Sequence, residues 1–145
     1  EDTIDVIASD HAPHTLKEKN NSYISAPSGG PLVQHALLAL LDLENSNQIS
    51  IKQIVKKTSH DVADCFKIEK RGYLRVGYFA DIVLIDRKKK NIVKKENILY
   101  KCGWSPFEGI EFNSSIISTF VNGERVFHKG LIKEFQSGLR LKFKS

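Results

Sequence analysis

Ile4-Asp5-Val6-Ile7-Ala8-Ser9-Asp10-His11-Ala12-Pro13-His14 is an apolar run that ends abruptly in an acid, a histidine, a proline and a second histidine. β-Branched Ile4, Val6 and Ile7 favour an extended backbone. Small Ala8 and Ser9 let the end of such a strand approach another element closely. Asp10 is the first strongly polar side chain past the core, and Pro13 prevents a ladder from continuing. A buried parallel strand that carries an acid at its C-terminal tip is how a β/α barrel presents its catalytic groups. The run therefore predicts a strand over 4–9 and a functional rim over 10–14.

Outward from the rim, residues 15–30 read as a long connection to Gly29-Gly30-Pro31. A stretch of that length between two ordered elements fits a lid or a binding loop. Ser28 can cap the following helix, and Pro31 suits its first turn. Leu32, Val33, His35, Ala36, Leu37, Ala39, Leu40 and Leu43 keep helical spacing to about Asn45, apolar on most sides. His35 within it reads as a core or interface residue. Ser50 and Gln53 form a capping box for a helix through about Lys57. Ser59 then offers a second start for 60–66, with His60 bonding at the helix start.

From Gly72 onward glycines punctuate short segments. Asp81-Ile82-Val83-Leu84-Ile85-Asp86 reads as a strand. Ile116–Val121, Asn122-Gly123 and Glu124–Phe127 read as a hairpin with an Asn-Gly turn. Alternation in Leu139–Lys144 allows a final strand. The expected division is therefore 1–69 as an α/β segment and 70–145 as a small all-β domain.

The chain has 145 residues, is 41% hydrophobic and carries a formal charge of +5. Its apolar fraction suffices for a packed core. Its longest apolar cluster, Ala36–Leu41, is too short to span a bilayer, which takes about 20 residues. Neither a membrane nor a nucleic acid is expected as a partner. The lysines of 56–57, 88–90 and 94–95 read as solvated faces, because no aromatic residues interleave them and arginine is sparse. Cys65 and Cys102 lack metal-ligand spacing and fit a reducing, cytoplasmic setting. The chain contains no methionine, and its first strand has no preceding element to pair with. The expectation is a C-terminal fragment of a longer protein.

Two constellations carry candidate chemistry. Asp10 can ligate a divalent metal or carry a proton. His14 can point back past Pro13 toward the same pocket, and His11 can support the acid from behind. Acids and histidines also meet by chance in loops, and the spacing alone does not decide between the two. Ala26-Pro27-Ser28-Gly29-Gly30-Pro31 exposes backbone N–H groups that tolerate a close anionic ligand, or forms a plain turn into a helix. The aromatic, turn-rich Asn97–Gly109 segment reads as a packed loop, with a binding role as the alternative. No Gly-x-Ser-x-Gly elbow supports serine catalysis.

Taken together, Ser9-Asp10-His11-Ala12-Pro13-His14-Thr15, Ala26-Pro27-Ser28-Gly29-Gly30, Lys57-Thr58-Ser59-His60, Gly72–Leu84 and Phe120-Val121-Asn122-Gly123 resemble the cyclic amidohydrolases, and within them the C-terminal part of a dihydroorotase. The resemblance covers about residues 4–128. Lys101-Cys102-Gly103-Trp104-Ser105-Pro106-Phe107-Glu108-Gly109 is similar to one bacterial dihydroorotase subgroup.

The resemblance implies the C-terminal end of a (β/α)8 TIM barrel, with Ile4–Ser9 as its last strand, and a small β-sandwich-like domain beside it. It implies reversible hydrolysis of dihydroorotate to N-carbamoyl-L-aspartate in pyrimidine biosynthesis. Asp10 would ligate zinc, one of two ions in a complete site, and shuttle the proton. His14 would bind the substrate carboxylate, and the backbone at Ser28 and Gly29 would close over the ring. The family often has a more hydrophobic residue at the position of Ser28.

The family's His-x-His pair, its metal-bridging residue and its two further histidines have no counterpart here, so the fragment alone is expected to be inactive. Its barrel flank and the helix at 32–43 are expected to be exposed. An allantoinase- or hydantoinase-like enzyme and a non-catalytic dihydroorotase-like subunit are the alternatives. A homodimer of the complete protein is left open.

Overall fold

A computed structural model of the chain describes residues 3–134 and 138–144. Residues 4–9 do not form the expected paired strand. Among the described residues, their one backbone bond to a distant residue runs from the Ile7 N–H to the Lys57 carbonyl, at 3.0 Å. A parallel strand buried on both faces needs neighbours at both edges. The described residues supply none, and Ile4 is left 65% exposed.

The connection that follows holds a one-turn helix, α1 (Leu16–Lys19), where the sequence reading expected only loop. Thr15 and Glu18 form a reciprocal capping box around it. That Thr-x-x-Glu signal is local and legible in the sequence. Helix α2 (Ala36–Asn45) starts later than the cap at Ser28 would place it. Its N-cap is His35, with no side-chain capping bond. The chain first turns at Leu32, whose carbonyl accepts from the N–H groups of His35 and Ala36 at 3.0 and 2.9 Å. Residues 28–30 are instead committed to the rim, since the Gly30 carbonyl accepts from the Ala12 N–H at 2.9 Å.

Ser50 and Gln53 cap α3 (Ile51–Val55) as the spacing predicts. The expected break at Ser59 does not occur. A π-helical turn over Lys56–His60 carries the helix on into α4 (Asp61–Cys65). The Thr58 hydroxyl donates to the Ile54 carbonyl four residues back, at 2.7 Å, and so closes onto the existing helix.

The second half is antiparallel. Strands β1 (Ile82–Asp86), β4 (Ser115–Val121), β5 (Glu124–His128) and β6 (Leu131–Ile132) form one sheet in the order β1-β4-β5-β6. Strands β2 (Asn91–Ile92) and β3 (Glu111–Phe112) pair separately. The β4–β5 turn is Asn122-Gly123, with φ of 53° and 86°, the left-handed pair that matches strand twist. Arg71 ties this turn to the start of β1. Its guanidinium pairs with Asp81, donates to the Asn122 side chain at 2.7 Å and lies over the Phe79 ring. The expected C-terminal strand is reduced to a bridge between Phe143 and Ile68.

One apolar cluster joins helices and strands: Leu38 and Leu41 of α2, Ile54 of α3, Val93, and Phe112 of β3. Full burial of each such side chain is worth roughly 1.5–3 kcal/mol. The core-facing side of the helix at 32–43 is thus covered, contrary to the expectation of an exposed helix, while Val33 and Leu43 remain exposed as expected. No helix among the described residues is long and apolar enough to cross a membrane.

Candidate functional site

The apolar run ends at Asp10 because its backbone switches there to φ 44°. This left-handed region is costly for most L-residues, by roughly 1–2 kcal/mol, and Asp and Asn are the non-glycine types that enter it most readily. The turn leaves the Asp10 side chain exposed. A strained, exposed acid at the end of an apolar segment is a recurrent feature of active sites.

His11 is turned the other way. Its Nδ1 accepts from the backbone N–H of Leu32 at 3.1 Å and of Val33 at 3.4 Å. A backbone N–H only donates, so Nδ1 is the acceptor in both contacts. The ring also lies against Tyr100, with centroids 5.3 Å apart. His11 therefore anchors the rim to the first turn of the α2 region.

The His14 N–H returns to the Ala12 carbonyl at 2.9 Å, a three-residue turn centred on Pro13 whose fixed φ suits it. The His14 carbonyl accepts from the indole N–H of Trp104 at 2.8 Å. Gly29 closes the site from the other side. A Cβ at Gly29 would stand 2.7 Å from the Ala12 Cβ, and its φ is 84°, so only glycine fits. The Lys19 ammonium, at the end of α1, donates to the carbonyls of Pro27 and Gly29 at 2.6 and 3.0 Å. The structure thus brings 10–14 and 28–30 together, as their chemistry in the sequence invited, with Ser28 exposed at the edge.

Beneath the rim lies a buried polar floor that the sequence reading did not single out. The Tyr100 hydroxyl accepts from the Gln34 N–H at 2.9 Å and lies 3.3 Å from His35 Nδ1. The Ser105 hydroxyl is 3.1 Å from the same nitrogen. His35 is 1% exposed, and burial holds its pKa below the usual histidine value. Burial likewise pushes the Tyr100 hydroxyl upward. The Gln34 side chain bridges to the carbonyl of Asn97 and the N–H of Leu99. The local signal for this floor was the density of aromatic residues in 100–109, which reads equally well as plain packing. His35 is a core residue, as expected. His60 makes no capping bond and instead stacks on Tyr73 at 4.2 Å.

A cavity of about 830 Å³ between α2 and the sheet adjoins this floor, lined by Gln34, His35 and Tyr100 and by Leu37, Val126 and Phe127 among others. Neither Asp10 nor His14 lines it. The described residues do not by themselves fit the metal that the resemblance implies. Among the described residues no group of three or more His, Cys, Asp or Glu side chains could hold an ion. A catalytic zinc takes about three protein ligands, more than the described residues bring together around Asp10.

Residues 1–126 match the model of the amidohydrolase family. The chain is 39% identical over 124 residues to a dihydroorotase of Pyrococcus horikoshii, covering 86% of this chain and 28% of that protein. It is 40% identical over 126 residues to a dihydroorotase of Endomicrobium trichonymphae, covering 86% of this chain and 30% of that protein. Among solved structures it is similar to a dihydropyrimidinase from Brevibacillus agri, with a TM-score of 0.78 and 27% identity over 88% of this chain and 29% of that one. It is also similar to a D-hydantoinase (dihydropyrimidinase) from Thermus sp., with a TM-score of 0.81 and 22% identity over 90% of this chain and 30% of that one. The chain thus spans under a third of the length of these relatives. With a mixed α/β fold like theirs and a family match over most of its length, the chain belongs to the amidohydrolase family.

Proposed function

We propose that this chain is the C-terminal part of a zinc-dependent dihydroorotase, which reversibly hydrolyses dihydroorotate to N-carbamoyl-L-aspartate in pyrimidine biosynthesis in the cytoplasm. The observation that carries the reading is the convergence of the Asp10–His14 rim with the Ser28–Gly30 turn, held by the Ala12–Gly30 hydrogen bond and the tight Gly29–Ala12 approach. Curated dihydroorotases at 39–40% identity support the substrate assignment.

In this reading residues 1–69 are the end of a (β/α)8 barrel with 4–9 as its last strand, and 70–145 form a small β domain. The paired β1-β4-β5-β6 sheet supports the second half of that division. Asp10 would be one ligand of a metal centre whose remaining ligands are not found among the described residues. Its carboxylate takes a proton from the attacking water and returns it to the amide nitrogen as the ring C–N bond breaks. His14 binds the substrate carboxylate through its imidazole. The backbone at Ser28 and Gly29, with no side chain on Gly29, lets the flat ring approach closely. His11 acts behind Asp10, holding the rim against Leu32 and Val33.

The structural neighbours named hydantoinase and dihydropyrimidinase favour a second reading, a cyclic amidohydrolase for ureides without a carboxylate. His14 separates the two. In the complete protein, His14→Ala should raise KM for dihydroorotate by about 100-fold, since a charge-assisted contact contributes about 1.5–3 kcal/mol. Unchanged KM in that variant, with turnover of hydantoin or dihydrouracil equal to that of dihydroorotate, would replace the first reading by the second.

A further inference from the structure

We propose that Trp104 is a positioning residue for His14, and through it for recognition of the substrate carboxylate. The inference rests on the dihydroorotase reading above. The indole N–H, a donor only, meets the His14 carbonyl at 2.8 Å across ninety residues of sequence. The far edge of the same ring stands 3.6 Å from where a Gly30 Cβ would lie. One side chain therefore touches both halves of the candidate site, the rim and the glycine turn.

Trp104 is itself fixed from below. The Gly103 N–H closes a turn onto the Tyr100 carbonyl at 3.0 Å. The next residue, Ser105, is buried and within 3.1 Å of His35 Nδ1, and the Phe107 N–H donates to its hydroxyl. A rigid path thus runs from the buried floor through Trp104 to the peptide that carries the His14 imidazole. Holding that carbonyl fixes the peptide plane after His14 and limits the directions its Cα–Cβ bond can take. Trp104 touches no reacting atom in this scheme, so its effect belongs to substrate binding rather than to the proton transfer at Asp10.

The test uses the complete, metal-loaded protein with dihydroorotate. Trp104→Phe keeps an aromatic ring and removes the N–H. It should raise KM about tenfold while kcat stays within about threefold, the pattern of a lost binding contact. Its melting temperature should match that of the parent. In a His14→Ala background the same change should add nothing to KM, because the group it positions is gone. If Trp104→Phe does not fold, the benzothiophene isostere of Trp104, with sulfur in place of the N–H, gives the same readout. Unchanged KM in a folded Trp104 variant, alongside a raised KM in His14→Ala, would overturn the positioning role alone. An equal rise in both backgrounds would also overturn it. Unchanged KM in His14→Ala would overturn the substrate-anchor reading on which the proposal stands.

Discussion

Strands β4 and β5 meet through a two-residue turn, whereas the Asp10–His14 rim is held by residues 18 to 90 positions away. In the hairpin, Val121 pairs with Glu124 across Asn122-Gly123, so the contacts that define it are written in adjacent residues. At the rim, His11 is held by Leu32 and Val33, Ala12 by Gly30, and His14 by Trp104. The hairpin's conformation is largely fixed by its own turn chemistry. The rim keeps an acid in a strained backbone region only while remote segments hold it. The candidate chemistry thus lies where the local sequence is least self-sufficient.

The largest effect should come from the core that packs the helices against the β half. Leu41 is 1% exposed and packed in the cluster that joins α2 to β3. Leu41→Ala in the complete protein should cost about 3 kcal/mol by denaturant unfolding. A loss below about 0.5 kcal/mol, the scale of a surface substitution, would show that this cluster does not hold the helices to the β half.

Gly29→Ala sharpens the contrast by striking the rim alone. Its Cβ would collide with Ala12 in a left-handed backbone, and a cost of about 2 kcal/mol is expected, with KM raised. The matching change at exposed Gly123, which meets nothing within 4 Å, should cost only its backbone strain, about 1 kcal/mol, and leave KM unchanged. Equal effects on KM at both glycines would erase the distinction.

The smallest effect is a pH slope. Burial lowers the His35 pKa below the ordinary 6.5, so the folded state favours the neutral ring. As pH falls through 6.5 the unfolded chain takes up the proton first, and the native state loses stability. The contribution is complete above pH 6.5 and declines below it. His35→Asn, which can keep a polar partner for Ser105 and Tyr100, should flatten this part of the stability–pH curve. An unchanged slope would mean that another group sets it.

The hairpin, the cap at Ser50 and the apolar face of α2 were legible because turn residues, capping boxes and periodicity are local. The one-turn α1 was legible in principle from Thr15 and Glu18, but the expected long loop obscured it. The π-helical passage at Lys56–His60 was not, since Ser59 is a good cap by composition and only the Thr58–Ile54 bond shows why the helix continues. Segment 4–9 has strand composition without a pairing partner among the described residues, and composition cannot supply one. At the site, Asp10, His14 and the glycine turn stood out by residue type. Trp104 and Tyr100 did not, because an aromatic residue that braces a site and one that fills a core have the same sequence signature.

The most direct test is steady-state hydrolysis of dihydroorotate by the complete protein carrying Asp10→Ala. Loss of turnover by at least about 1000-fold in a folded, metal-binding variant is expected for a group that carries the proton. Turnover within tenfold of the parent would contradict the assignment of Asp10, and with it the rim as the centre of the chemistry.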